Sequence, residues 1–202
     1  MAYHGYIPLI KQYIHQQLPQ EHVPTLLEIG VDRGVTLIPL IAFLARTRPV
    51  FNVIGVDILV QEQVRVMVGN LDLQQTQQAF LIEKNSLEVL PQMIDQGMKF
   101  DVVLIDGDHN YHTVAEEMKH LEALTRPGSL VVIDDYDGRW ADRDLWYVDR
   151  EGYETNEHAT PKVETEKHGV KPAVDEWLEV HPEWQKAQPV KGEPILLMRR
   201  AI

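Results

Sequence analysis

Between Phe100 and Tyr136 two apolar runs end abruptly in carboxylates: DVVLIDGDH over residues 101–109 and SLVVIDDY over residues 129–136. A strand buried on both faces requires such uninterrupted Val, Leu and Ile, and open α/β sheets bind their ligands beyond the carboxyl ends of these strands. The stretch between them, HNYHTVAEEMKHLEALTRPG, reads as a helix with a Pro-Gly stop. The pattern brings Asp106, Asp134 and Asp135 to one sheet edge, where three carboxylates repel unless protons or a bound cation offset them.

The rest of the chain repeats this alternation. Ile7, Ile10, Ile14 and Leu18 have helical spacing and predict an N-terminal cover within residues 1–22. TLLEIG, FNVIGVDI and AFLIEKNS read as strands. GVTLIPLIAFLAR, QEQVRVMVGNLDL and SLEVLPQMIDQG read as helices, with Pro39 early in the first and Pro91 shortening or bending the last. Strand and helix alternate five times, which calls for a parallel sheet with right-handed crossovers. Residues 137–169 are polar, charged and aperiodic, an irregular insertion. VKPAVDEWLEVHP returns to helical spacing, and WQKAQPVKGEPILLMRR supplies two short strands about a Lys-Gly-Glu-Pro turn. The expected fold class is therefore α/β: a Rossmann-like, doubly wound, mostly parallel seven-stranded sheet with a C-terminal antiparallel hairpin and helices on both faces.

With 202 residues, 44% of them hydrophobic and 25% charged, the chain is expected to form one domain over residues 1–202. It has no cysteine, so any metal must be held by oxygen or imidazole. A net charge of −12 argues against a surface built for nucleic acid or anionic membrane. The N-terminus lacks the basic flank and long apolar core of a signal peptide, and LIPLIAFLA is too short to span a bilayer. A cytoplasmic protein is the expectation.

LLEIGVDRG places Glu28, Gly30 and Gly34 where the first strand meets the first crossover helix, a junction that offers close backbone approach and unpaired N–H groups. A carboxylate at Glu28 repels a pyrophosphate, which disfavours NAD and FAD and suits a cationic ligand, reached directly or through water. Asp57 ends the second strand, where an acid accepts hydrogen bonds from both ribose hydroxyls. Asn85-Ser86 ends the third, placed to meet an adenine edge.

In this order the motifs resemble those of the class I S-adenosylmethionine-dependent methyltransferases, from about Val23 to the C-terminus. IDGDHNY, VVIDDY and GVKPAVDEWLEVHPEW are most similar to the macrocin-type sugar O-methyltransferases of natural-product pathways. The resemblance implies a cofactor site lined by Glu28, Gly30, Asp57, Asn85, Ser86 and Asp106, with Gly34 supporting the turn. It implies Mg²⁺ on Asp106, Asp134 and Asp135, Asp108 as general base, and a homodimer. The family commonly has Asp where Asn85 stands; Asn keeps an acceptor for the adenine amine but can also present its amide nitrogen.

Methyl transfer from a sulfonium needs an oxygen nucleophile held in line, and a hydroxyl of ordinary pKa is a weak one. Mg²⁺ would lower that pKa and fix the approach, although three carboxylates suit Mn²⁺ or Ca²⁺ as well. Asp108 or His109 could take the proton. Trp140, Trp146, Tyr147 and Tyr153 in the insertion supply faces for a sugar or a flat phenol, or for subunit packing. Asp134 and Asp135 could instead cap a loop or pair with Arg139 or Arg143. The expected reaction is metal-assisted O-methylation of a small hydroxylated acceptor, a sugar or natural-product glycoside ahead of a catechol-like phenol. The alternatives are a module that binds S-adenosylmethionine without turnover and a methyltransferase acting on a macromolecule.

Overall fold

The computed structural model describes residues 6–187 and 194–200. Seven strands form one sheet: β1 (Thr25–Ile29), β2 (Phe51–Asp57), β3 (Gln77–Glu83), β4 (Phe100–Ile105), β5 (Thr125–Ile133), β6 (Trp184–Lys186) and β7 (Ile195–Arg199). Their order is β3-β2-β1-β4-β5-β7-β6; the first five run parallel, and β7 is antiparallel to both β5 and β6. Order reverses between β1 and β4, and at such a switch point the helices leave to opposite faces and open a crevice. Residues 191–193 of the expected terminal turn lie outside the described residues.

Strand alternation divides the core in two. Leu26, Val53, Val102, Leu104, Leu130 and Val132 pack with α1 (Ile7–Gln17), α2 (Leu37–Thr47) and α3 (Glu62–Gly69). Their neighbours Leu27, Ile54, Val103, Ile105, Val131 and Ile133 pack with α4 (Ser86–Asp95), α5 (Tyr111–Met118), α6 (Leu121–Leu124) and α7 (Val170–Val180). A period of two therefore decides which layer each strand residue meets. α1 is fastened at its C-terminal end by Arg48, 4% exposed, whose guanidinium donates to the Ile14 and Leu18 carbonyls at 2.7 and 2.9 Å. The cation thus satisfies carbonyls left open by the helix end, where the helix dipole also favours it.

Both helix prolines are accommodated. Pro39 is the third residue of α2, where an N–H would lack an intrahelical partner in any case. Pro91 lies inside α4, which nevertheless continues to Asp95. The Pro-Gly signal differs from expectation, since it stops no helix. α6 ends at Leu124, and Thr125-Arg126-Pro127-Gly128 already belongs to β5, with a register irregularity and φ of +92° at Gly128. Hydroxyls stabilise this start: Thr125 donates to the Leu121 carbonyl at 2.6 Å, and Ser129 accepts from the Arg126 N–H while donating to the Phe100 carbonyl. The insertion is irregular apart from a 3₁₀ turn at Tyr147–Asp149 and a bridge between His109 and Leu145.

Candidate active site

An open cleft lies over the β1/β4 switch point. Its wall includes Gly30, Asp57, Asn85, Ser86, Asp106 and Asp108, so six sequence-derived candidates are brought together.

Gly30 is required by contact and by conformation. Its φ is +86°, and a Cβ there would lie 2.0 Å from the Asp106 carbonyl oxygen, because β1 and β4 are neighbours at their carboxyl ends. Gly34, φ +71°, lies outside the cleft lining and lets Ile38 of α2 pack against the loop, where a Cβ would meet the Ile38 side chain at 2.6 Å. Asp57 secures the same loop: Oδ2 accepts the Val31 and Asp32 N–H groups at 2.7 and 2.9 Å, and Oδ1 accepts Leu59 N–H at 2.8 Å. Burial raises its pKa against these bonds, which favour the ionised form. Asp32 also lines the cleft, at φ +42°, with Gln61 donating to its Oδ1.

Glu28 does not line the cleft. It shares a strand face with Leu26 and is turned toward α1 and α2, 3% exposed, with Oε2 lacking a hydrogen-bond partner. Burial, reinforced by the nearby Asp57, pushes its pKa well above the usual range. Of the two expected approaches to a cationic ligand, direct or through water, the direct one is not offered: Glu28 is a buried acid beneath the glycine loop.

Asn85 and Ser86 are both engaged. Asn85 is the N-cap of α4, accepting Leu87 N–H at 2.9 Å, while its amide donates to the His158 carbonyl and Thr160 Oγ1 at 2.9 and 3.2 Å. It thereby ties the insertion to the end of β3. Ser86 donates to Glu117 Oε1 at 2.6 Å. Glu117, 1% exposed, lines the cleft with Oε2 unpartnered, and burial pushes its pKa up to about 8. Sequence reasoning missed it, although Glu117 interrupts the apolar stripe Val114, Met118, Leu121, where a charged residue is out of place.

The register explains the carboxylates. Leu104 pairs with Val132 and Ile105 with Ile133, so the next residues, Asp106 and Asp134, emerge side by side on one face. They share a hydrogen bond; burial and the charge of Asp134 hold the Asp106 pKa well up, while burial and the charge of Asp135 raise that of Asp134 against the bond to Asp106. Asp135 does not join them. Its φ is +56°, and its Oδ1 accepts Arg139 N–H at 3.0 Å as a turn cap. Its Oδ2 lies 3.6 Å from His109 Nδ1, while His109 Nε2 lies 3.7 Å from Asp106 Oδ1. The imidazole thus separates Asp135 from the pair. Among the described residues, Asp106, Asp134 and Asp135 are not a group whose ligand atoms lie within 4.8 Å of one another; Glu122, His181 and Glu183, away from the cleft, are. The Asp106–Asp134 pair nevertheless fits a hard cation in donor chemistry: two half-buried carboxylates share a hydrogen bond whose proton a cation would replace.

Asp108 lines the cleft with Oδ1 accepting Tyr147 N–H at 3.2 Å and Oδ2 accepting Thr113 Oγ1 at 3.3 Å. Burial raises its pKa to about 6, suited to taking a proton near neutrality. His109 is 8% exposed, outside the cleft lining, and burial pushes it down to about 4. Of the insertion aromatics, Tyr147 and Tyr153 line the cleft as an edge-to-face pair 5.2 Å apart. Trp146 is buried, and Trp140 lies under the guanidinium groups of Arg139 and Arg143. Among the described residues no helix is long and apolar enough to cross a membrane.

Comparison with known proteins agrees with this geometry. A comparison with curated proteins returned no match. CalS11, a TDP-rhamnose 3'-O-methyltransferase of calicheamicin biosynthesis, is similar in structure with a TM-score of 0.64 at 14% identity, over 95% of this chain and 77% of that one. MycE, a methyltransferase of the mycinamycin pathway solved with Mg, S-adenosylhomocysteine and mycinamycin VI, gives a TM-score of 0.58 at 16% identity. The match covers 99% of this chain, which spans 50% of the length of MycE. At these identities the likeness is one of fold. The family model of the methyltransferase domain matches residues 27–136, more than half of the chain. The chain accordingly belongs to that family and is a class I S-adenosylmethionine-dependent methyltransferase.

Proposed function

We propose that this enzyme transfers the methyl group of S-adenosylmethionine to a hydroxyl oxygen of a small acceptor, a sugar or natural-product glycoside ahead of a catechol-like phenol. The observation that carries the proposal is the junction of two chemistries in one cleft: the Gly30 loop with Asp57 at one end, and Asp106 and Asp108 at the other, Asp134 alongside Asp106.

The sulfonium carbon–sulfur bond breaks as the carbon–oxygen bond forms, leaving S-adenosylhomocysteine, and the hydroxyl proton passes to an Asp108 carboxylate oxygen. The bonds from Tyr147 N–H and Thr113 Oγ1 fix that carboxylate and help keep it ionised. Asp106 and Asp134 would hold Mg²⁺, with Asp135 adjacent in sequence, and the ion would supply positive charge that lowers the pKa of the acceptor hydroxyl. Tyr147 and Tyr153 offer aromatic surface to an acceptor ring. The net charge of −12 favours a small acceptor over nucleic acid. A homodimer belongs to the same proposal.

The test is calorimetric titration with S-adenosylhomocysteine in Mg²⁺ and in EDTA, with NADH as control, followed by transfer assays on sugar and phenol panels. Binding of S-adenosylhomocysteine but not NADH, with transfer that fails in EDTA and in Asp134→Asn, is the expected result. Cofactor binding without transfer to any acceptor would favour a module that binds without turnover.

A further inference from the structure

Glu117 is a carboxylic acid that lines the cleft, is 1% exposed and keeps one oxygen, Oε2, without a hydrogen-bond partner. A buried polar atom left open at a ligand cleft marks where a ligand donor belongs. The neighbouring groups sharpen that assignment. Asn85 stands at the strand end where a base edge is met, yet both of its amide hydrogens are spent on His158 and Thr160, and its oxygen already accepts Leu87 N–H. Ser86 binds Glu117 Oε1, which fixes the carboxyl group and leaves Oε2 as the open position.

We propose that Glu117 selects the purine of the bound cofactor, accepting a hydrogen bond at Oε2 from the exocyclic amine of adenine. The proposal rests on the assignment of S-adenosylmethionine to this cleft. Oε2 is an acceptor in the carboxylate, where Ser86 donates to Oε1, and it remains one in the neutral acid with its proton on Oε1, where the Ser86 hydroxyl turns to accept across the same 2.6 Å contact. A 6-oxo purine would set its own acceptor against Oε2, and a site built around one hydrogen bond rejects a ligand that cannot complete it. Glu117 is thus a specificity residue supplied by α5, beside an Asn85 whose amide hydrogens are held by His158 and Thr160.

The experiment compares the affinities of S-adenosylhomocysteine and S-inosylhomocysteine for the parent enzyme, Glu117→Met and Glu117→Gln. The parent should prefer the amine by at least about tenfold. Met conserves volume but has no comparable acceptor and should lose most of that preference, whereas Gln, whose amide oxygen can still accept, should keep part of it. A preference undiminished in Glu117→Met, or absent from a parent that binds S-adenosylhomocysteine, would overturn the role of Glu117 alone. A parent that binds neither ligand would overturn the cofactor assignment and this proposal with it. Should Glu117→Met fail to fold, S-adenosylhomocysteine carrying ¹⁵N at the amine reads the parent directly: a shifted amine proton protected from water exchange is expected, and one exchanging as in free ligand would overturn the proposal.

Discussion

The Tyr6 hydroxyl donates to Asp106 Oδ2 at 3.2 Å, joining the residue that precedes α1 to the carboxyl end of β4. Tyr6 is 1% exposed and also senses Asp134 and Glu28, so the N-terminal cover reaches the carboxylate edge of the sheet as well as its apolar face. The bond favours the ionised form of Asp106 against burial and against Asp134. Tyr6→Phe preserves the ring and removes the donor. It should cost about 0.5–1.5 kcal/mol of stability and lower turnover several-fold, with S-adenosylhomocysteine affinity unchanged. Equal turnover in steady-state kinetics would show the contact to be structural.

Gly30→Ala combines a left-handed backbone with a 2.0 Å clash against the Asp106 carbonyl. Strain and overpacking together should remove roughly 2–5 kcal/mol in urea unfolding and weaken cofactor binding with it. Gly152→Ala provides the contrast: its φ is +90°, but nothing lies within 4 Å of the added Cβ, so only about 1 kcal/mol of strain is expected.

The sheet and the position of the cleft were legible because buried parallel strands have a simple signature, uninterrupted aliphatic runs that end in a turn or an acid. Leu26 to Ile29 and Val102 to Ile105 carry it, and their pairing sets the switch point. The finer arrangement of the acids depended on register, which local pattern does not contain. Asp106 and Asp134 meet because Ile105 pairs with Ile133, while Asp135 caps a turn through Oδ1 and has His109 beside Oδ2. Asn85 was recognised as a strand-end group, but its donors were claimed by His158 and Thr160, more than seventy residues away in an aperiodic segment. The Pro-Gly pair misled for a related reason: Thr125 and Ser129 supply tertiary hydrogen bonds that let a strand begin before the break.

Asn85→Ala should release that segment. Loss of the α4 cap costs about 0.5–2 kcal/mol, and the amide bonds that hold the insertion go with it. Limited trypsin digestion should then cut faster at Arg150 and Lys162, as read by mass spectrometry. Unchanged cleavage rates would show that Asn156, which donates to the Ile58 carbonyl at 2.9 Å, suffices to hold the insertion.

Asp108→Asn keeps the shape of the carboxyl group and removes the proton acceptor. General-base catalysis contributes on the order of 10²–10⁴ in rate, so transfer should fall by that factor while S-adenosylhomocysteine still binds. A tenfold or smaller loss, about 1.4 kcal/mol, would move the base elsewhere in the cleft.

Glu117 makes stability depend on pH with a definite sign. In the unfolded chain its carboxyl titrates near 4.5, whereas burial pushes it up to about 8 in the folded protein. Between those values the folded state holds a proton that the unfolded chain releases, so stability falls as pH rises. The contribution is fully present below about 4.5 and is lost as pH climbs through 8. Glu28 and Asp106, also raised by burial, act in the same direction, so the parent trend alone does not isolate Glu117. Glu117→Gln does, because an amide is neutral at every pH in the range. Urea unfolding of both proteins at pH 5 and pH 8 should show the parent losing more stability than the variant, by an amount on the order of 3 kcal/mol. Parallel losses in the two proteins would mean that Glu117 is already ionised in the folded state at neutral pH, and that the groups around Ser86 satisfy its charge.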